Sequence, residues 1–314
     1  MNAPFRFLPL VLLALSLIPT NAHAQLAPSI STADDERFAY HANTGWTNWR
    51  WDTSDPGDGA TVTQFCLSGF VYSANCGWID LGDGAPQNGI QYQNQVVAAQ
   101  NDFGVNHDGN GNLSGFAYAA NIGWINFGNP ATWNDPPKIN LLNGQMSGYA
   151  YSANCGWLDL GTNGTVRVKT DSIEIKDSDN DMIDDAWEFT QLANASMTLT
   201  LATLTKTGDN DNDGQLDLEE YLADTDPFDP NDTFNVLTLG ITIPPAPNNV
   251  DITWTSKTTR AYQVSLSTTN LDPGSFSDLG SAVIGLSPTT TALFPDPLPR
   301  NKFWKVEAKL PLSP

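Results

Sequence analysis

Between Gln25 and about Ile175 the chain alternates apolar and polar residues in short runs, each interrupted by Asn and resumed at Gly-Trp. The copies are FAYHANTGWTNW from Phe38, SGFVYSANCGWIDLG from Ser68, SGFAYAANIGWINFG from Ser114 and SGYAYSANCGWLDLG from Ser147. Alternation is the period of a strand and Asn between two such runs is a turn residue, so each copy predicts a β-hairpin. The pairs Gly45-Trp46, Gly77-Trp78, Gly123-Trp124 and Gly156-Trp157 lie 32, 46 and 33 residues apart. Spacing of that size marks a repeat architecture. The long second interval holds an insertion around Gly84 to Val105. Another short run precedes the third and fourth copies, ended by Asp108-Gly109-Asn110-Gly111 or Asn143-Gly144, so three short strands per unit are expected. A propeller, a prism and a solenoid all satisfy this pattern, and closure stays open.

Past the repeats, Thr165 to Lys176 keeps the strand period. Helices are expected only at Asp185 to Ala193 and Asp217 to Ala223, the second ending before Pro227. From Thr233 the alternation returns at Phe234–Ile243, Asn249–Thr255, Ala261–Thr268, Ser281–Ile284, Thr289–Phe294 and Lys302–Ala308. Breaks fall at Pro244-Pro245, Asp272-Pro273-Gly274 and Pro295-Asp296-Pro297. Short strands at this spacing predict a fibronectin-like β-sandwich.

Charge changes the picture in one place. The chain has a net charge of −21, and Asp177 to Asp232 holds 16 acidic residues against a single base, Lys206. No basic patch exists to neutralise phosphates, so nucleic-acid binding is disfavoured. The acids are also spaced as ligands. Asp209, Asp211, Asp213, Gly214, Gln215, Asp217 and Glu220 fill every specified position of a D-x-[DN]-x-[DN]-G-x5-E loop. Asp177, Asp179, Asp181, Ile183, Asp185 and Glu188 form the same loop, with Met182 where Gly normally makes the turn. Calcium takes six to eight oxygens, and such a loop supplies them. Carboxylates come from positions one, three and five, and a backbone carbonyl from position seven, Ile183 or Gln215. Position nine, Asp185 or Asp217, often acts through water, and the Glu at position twelve binds through both oxygens.

The two loops, with the Y-L-A-D-T-D-P-F-D-P run that follows them, resemble the bacterial form of the thrombospondin type 3 calcium-binding repeat over 56 residues. The resemblance implies loop-and-short-helix units instead of full helix-loop-helix hands. It implies Ca2+ ligands at Asp177, Asp179, Asp181, Asp185 and Glu188, and at Asp209, Asp211, Asp213, Asp217 and Glu220. The chain departs from the family pattern at Met182, and at Asp224, where Gly is frequent. Dockerins also duplicate such loops, but Ala186-Trp187 and Leu218-Glu219 do not fit their partner-contact positions, which speaks against a cohesin partner. The expected fold class is mainly β. An all-β repeat domain spans 25–175, a calcium-binding half-EF-hand segment with small helices spans 176–232, and a β-sandwich spans 233–314.

Residues 1–24 read as a signal peptide: Arg6, an apolar run from Phe7 to Ile18, and Ala22-His23-Ala24 as the cleavage site. Export to the cell surface, periplasm or medium is expected, with no transmembrane segment in the mature chain. Cys66, Cys76 and Cys155 then predict one disulfide and one free thiol. The repeated Trp residues are expected in the core, with Trp49, Trp51 and Trp133 as the exposed contacts. Asp80 and Asp159 share a repeat position with Asn126, which argues for a turn role over general acid work. His41 and His107 lack diagnostic metal spacing, and no nucleophile or phosphate-loop motif occurs, so no enzyme activity is expected. The reading that follows is a secreted calcium-binding structural or adhesion protein with an unknown surface ligand, glycan or protein. Its rival is a lectin-like binder using the aromatic residues of the repeats.

Overall fold

A computed structural model describes residues 26–52, 58–97, 100–128, 132–161, 164–242, 249–295 and 302–313. The expected signal peptide lies outside them, as do the breaks at Pro244-Pro245 and Asp296-Pro297. The chain is mainly β, with two α-helices among the described residues.

Each repeat forms the expected hairpin. Hairpin one pairs Phe38–His41 with Gly45–Asn48, and hairpin two pairs Leu67–Ser73 with Gly77–Asp80. Hairpin three pairs Leu113–Ala119 with Gly123–Asn126, and hairpin four pairs Tyr149–Ser152 with Gly156–Asp159. Neighbouring hairpins join through Thr47 and Ser73, Asp80 and Tyr118, and Ile125 and Ser152. His41 opposite Leu158 then closes the circle. The result is an eight-stranded antiparallel ring, a closure that none of the three expected architectures provides. Extra short strands at Ala60–Val62, Val105–His107 and Lys138–Ile139 pair below the second, third and fourth hairpins.

Closure decides which side chains face inward. Eight short strands leave room only for small interior groups. The buried positions are Ala39, Val71, Ala117 and Ala150 in one layer and Thr47, Ile79, Ile125 and Leu158 opposite them. The Trp side chains cannot fit and point out, with Trp46, Trp78, Trp124 and Trp157 being 51, 46, 37 and 50 % exposed. This corrects the expectation that they fill the core. Trp49, expected outside, is instead buried against Phe127, at 6.4 Å between ring centroids. Trp51 is exposed as expected and Trp133 is half-buried.

The hairpin tips interlock. Asn75 Nδ2 donates to the Thr44 carbonyl at 2.8 Å, Asn121 to Cys76 at 3.2 Å and Asn154 to Ile122 at 2.8 Å. Gly45, Gly77, Gly123 and Gly156 all take φ between 73 and 80°, the left-handed turn conformation that explains why Gly precedes every Trp. Asn48, Asp80, Asn126 and Asp159 each accept the backbone N–H two residues on, which supports the turn role read for that position. All three cysteines are free thiols, buried, unlike the disulfide expected; Cys76 and Cys155 sit on hairpins separated by another hairpin in the ring.

The C-terminal part contains two antiparallel sheets, Val236–Thr242, Asn249–Thr255 and Thr289–Pro295 in one, with Ala261–Ser267 and Phe303–Lys309 central to the other. Val250, Ile252 and Trp254 pack with Tyr262, Val264 and Trp304, so the two sheets share one core. Thr165 to Lys176 is not a continuous strand. It runs extended and touches several neighbours through single bridges, Val168 to Arg37, Thr170 to Ile30 and Glu174 to Thr63.

Candidate metal centre

The acidic segment folds as two loops that each lead into a helix, α1 at Asp185–Asn194 and α2 at Asp217–Ala223. Their apolar faces meet: Ile183, Trp187, Leu204 and Tyr221 form a small core, packed against Phe65 from the ring and Leu310 from the C-terminal part. The loops therefore sit at the joint between the two β regions.

Within loop two, the carboxylates divide their work. Asp209 Oδ2 accepts the Gly214 N–H at 3.2 Å, Asp211 Oδ1 the Asp213 N–H at 3.1 Å, and Asp213 Oδ1 the Gln215 N–H at 2.6 Å. Asp209 Oδ1, Asp211 Oδ2 and Asp213 Oδ2 are buried with no partner. One oxygen of each residue shapes the loop while the other faces inward, and the three ligand atoms lie within 4.8 Å of one another. At position twelve Glu220 is 0 % exposed and neither of its oxygens has a partner.

Loop one repeats this plan. Asp177 accepts the N–H groups of Asp181 and Met182, and Asp181 Oδ1 that of Ile183 at 2.9 Å. Asp181 Oδ2 and both oxygens of Glu188, also 0 % exposed, are left unpartnered. Asp177, Asp179 and Asp181 converge within 4.8 Å, as do Asp179, Asp185 and Glu188. Burial pushes the Glu188 carboxyl up to about 9 and Glu220 up to about 8, with the adjacent aspartates adding to each. Leaving an ionised carboxylate buried and unpaired is expensive, so these groups call for a cation.

Position nine is used differently from the expectation. Asp217 accepts the Asn210 and Thr205 N–H groups and the Asn210 amide, and Asp185 accepts the Ser178 N–H at 2.8 Å. Both residues brace their loops, and Asp217 falls outside the tight carboxylate group. Ile183 and Gln215 hold position seven, Ile183 with its side chain in the joint core.

Two residues escaped the sequence reading. Asp184 is buried and caps α1, accepting from Ala186 and Trp187 while its other oxygen holds the Lys176 N–H; burial pushes it up to about 6. The loop spacing gave it no ligand role, and an N-cap Asp before α1 was the available signal. Asp224 takes the left-handed conformation, φ 61°, where Gly is favoured. Its carboxylate accepts the Trp187 indole N–H at 2.8 Å and pairs with the buried Arg260 guanidinium at 3.4 Å, tying both helices to the C-terminal sheets. Only the fold brings those three together. No family model, curated protein or solved structure matches the chain.

Proposed function

We propose that this is an exported calcium-binding structural or adhesion-type protein, in which two Ca2+ ions rigidify the joint between a β repeat domain and a fibronectin-like sandwich. One observation carries this reading: two loops of matching design point buried, unpartnered carboxylate oxygens inward, above all both oxygens of Glu188 and of Glu220. A dication would neutralise what otherwise repels, and would hold α1 and α2 in the orientation that packs Trp187 on Tyr221 at 5.2 Å. The resemblance to thrombospondin type 3 repeats supports the same reading. In this role Ca2+ is structural, and no catalytic residue is assigned. Calorimetry of calcium into the chelator-stripped mature protein tests it. Two sites are expected, one of them lost in Asp209→Ala; absence of binding heat at millimolar calcium would overturn the reading.

A second reading concerns the ligand. Each outward Trp is flanked by ring partners, Trp157 by Tyr149, Tyr151 and Trp133 at 4.9 to 6.3 Å. Trp133, Tyr149 and Trp157 line a groove with Asn134 and Asp135. Ring faces beside amide and carboxylate groups suit a glycan. Quenching of Trp fluorescence across an oligosaccharide panel, lost in Trp157→Ala, is the expected result. A flat response over the whole panel removes this reading and leaves the calcium one untouched.

A further inference from the structure

The tip end of the ring holds a second set of buried ligand groups, unrelated to the acidic loops. Four side chains in equivalent positions face inward there: His41, Ser73, Ala119 and Ser152. Above them the residues before each Gly turn in as well: Thr44, Cys76, Ile122 and Cys155. Polar members come from hairpins four, one and two, which are consecutive around the ring, while hairpin three supplies the apolar wall of Ala119 and Ile122. His41 is 0 % exposed, and neither ring nitrogen has a hydrogen-bond partner. The Ser73 and Ser152 hydroxyls and Thr44 Oγ1 are likewise buried and unpartnered. His107 makes the contrast: equally buried, it meets the Thr63 carbonyl at 2.9 Å and accepts the Gly111 N–H at 3.1 Å. An imidazole left without partners inside a packed ring costs stability unless something else occupies its nitrogen.

Cys155 lies close to both other groups. Its backbone sits near enough to His41 to offset part of the burial that lowers the imidazole pKa. Burial raises the Cys155 thiol, and the Cys76 sulfur raises it further. We propose that Cys76, Cys155 and His41 form a binding site for one zinc-class divalent cation at the tip of the ring. Thiolate and imidazole are the ligands such an ion prefers, and a Cys2His set leaves one position for a hydroxyl or water. On binding, each thiol releases one proton to solvent, so two thiolates and one dication make a neutral centre suited to a buried place. Among the described residues the groups of three acidic, His or Cys ligands drawn within 4.8 Å are all in the acidic loops. Binding therefore pulls the hairpin tips inward.

The test uses the full mature chain, unfolded and refolded with Co2+ as the probe, under a thiol-free reductant and with calcium in excess to fill the acidic loops. One equivalent of Co2+ giving a thiolate-to-cobalt charge-transfer band and strong tetrahedral d–d absorption is expected, displaced by Zn2+. Cys155→Ser and Cys76→Ser each remove most of the band, His41→Gln weakens the d–d absorption, and Cys66→Ser leaves the spectrum unchanged. Far-ultraviolet circular dichroism of each variant separates loss of the site from loss of the fold. No charge-transfer band in the wild type, or a band that survives in folded Cys155→Ser, overturns the site. So does a mass two hydrogens lighter with Cys76 joined to Cys155 when the reductant is left out and zinc is present.

Discussion

The two acidic loops adopt one backbone from two different sequences. Position six has φ 97° at Gly214 and φ 77° at Met182. A Cβ at Gly214 would meet nothing within 4 Å, so no clash demands glycine there; the demand is conformational. Met182 accepts the strain with its side chain half in solvent, where its sulfur contacts Lys206 Nζ at 2.8 Å. The difference teaches that the carboxylate bracing and the joint core set the loop's shape, overriding local preference at a cost of about 1–2 kcal/mol.

The largest test of that claim is removal of the ion. If each site is filled at 100 times its Kd, chelation lowers stability by about 2.7 kcal/mol per loop. Thermal unfolding with and without chelator should show a fall of that order, concentrated in amides of α1 and α2 by hydrogen exchange. Next comes Glu220→Gln. It takes a buried charge away, so the calcium-free protein should become more stable while calcium affinity at loop two drops by at least roughly 100-fold, the upper end of losing an outer-shell partner. Glu188→Gln should do the same to loop one only. Exchanging position six is smaller. Gly214→Met should weaken loop two by about 1–2 kcal/mol and Met182→Gly should strengthen loop one by a similar amount, bringing the two calorimetric affinities together. Unchanged affinities in both swaps would mean the comparison says nothing about strain.

The smallest effect is pH. Without calcium, the folded pKa values of about 9 for Glu188 and about 8 for Glu220 stand above the ordinary 4.5. Between those limits the folded chain binds more protons than the unfolded one, so stability falls as pH rises through the window. The chelated protein should therefore melt higher at pH 5 than at pH 9, and calcium should abolish that trend.

Much of this was legible in the chain itself. The hairpins followed from alternation, α2 was placed at its observed bounds, and α1 ended one residue later than expected. The acidic loops converge because their spacing is a local rule, satisfied within twelve residues. What the sequence hid was non-local. The outward direction of Trp46, Trp78, Trp124 and Trp157 depends on ring closure, and a strand's alternation does not say which face is inside. Asp224 was read as a departure from a Gly position, whereas its carboxylate serves Trp187 and Arg260, 37 and 36 residues away. His41 stands in a repeat whose other copies carry Ser or Ala there, and only the ring shows it isolated from every partner.

Closure of the ring also sets an order of events for a chain that emerges N-terminus first. Tyr40 pairs with Asp159, so the first hairpin waits 119 residues for its second neighbour. Until then the row of strands has two raw edges, each a template for pairing with another chain. Such distant pairing is slow to form, and the seam is the last joint to be sewn. The acidic segment begins at Asp177, directly behind that seam, and its own repulsion keeps it open while the ring completes. Maturation is thus written into the chain's direction: the circle shuts first, and the joint behind it sets afterwards.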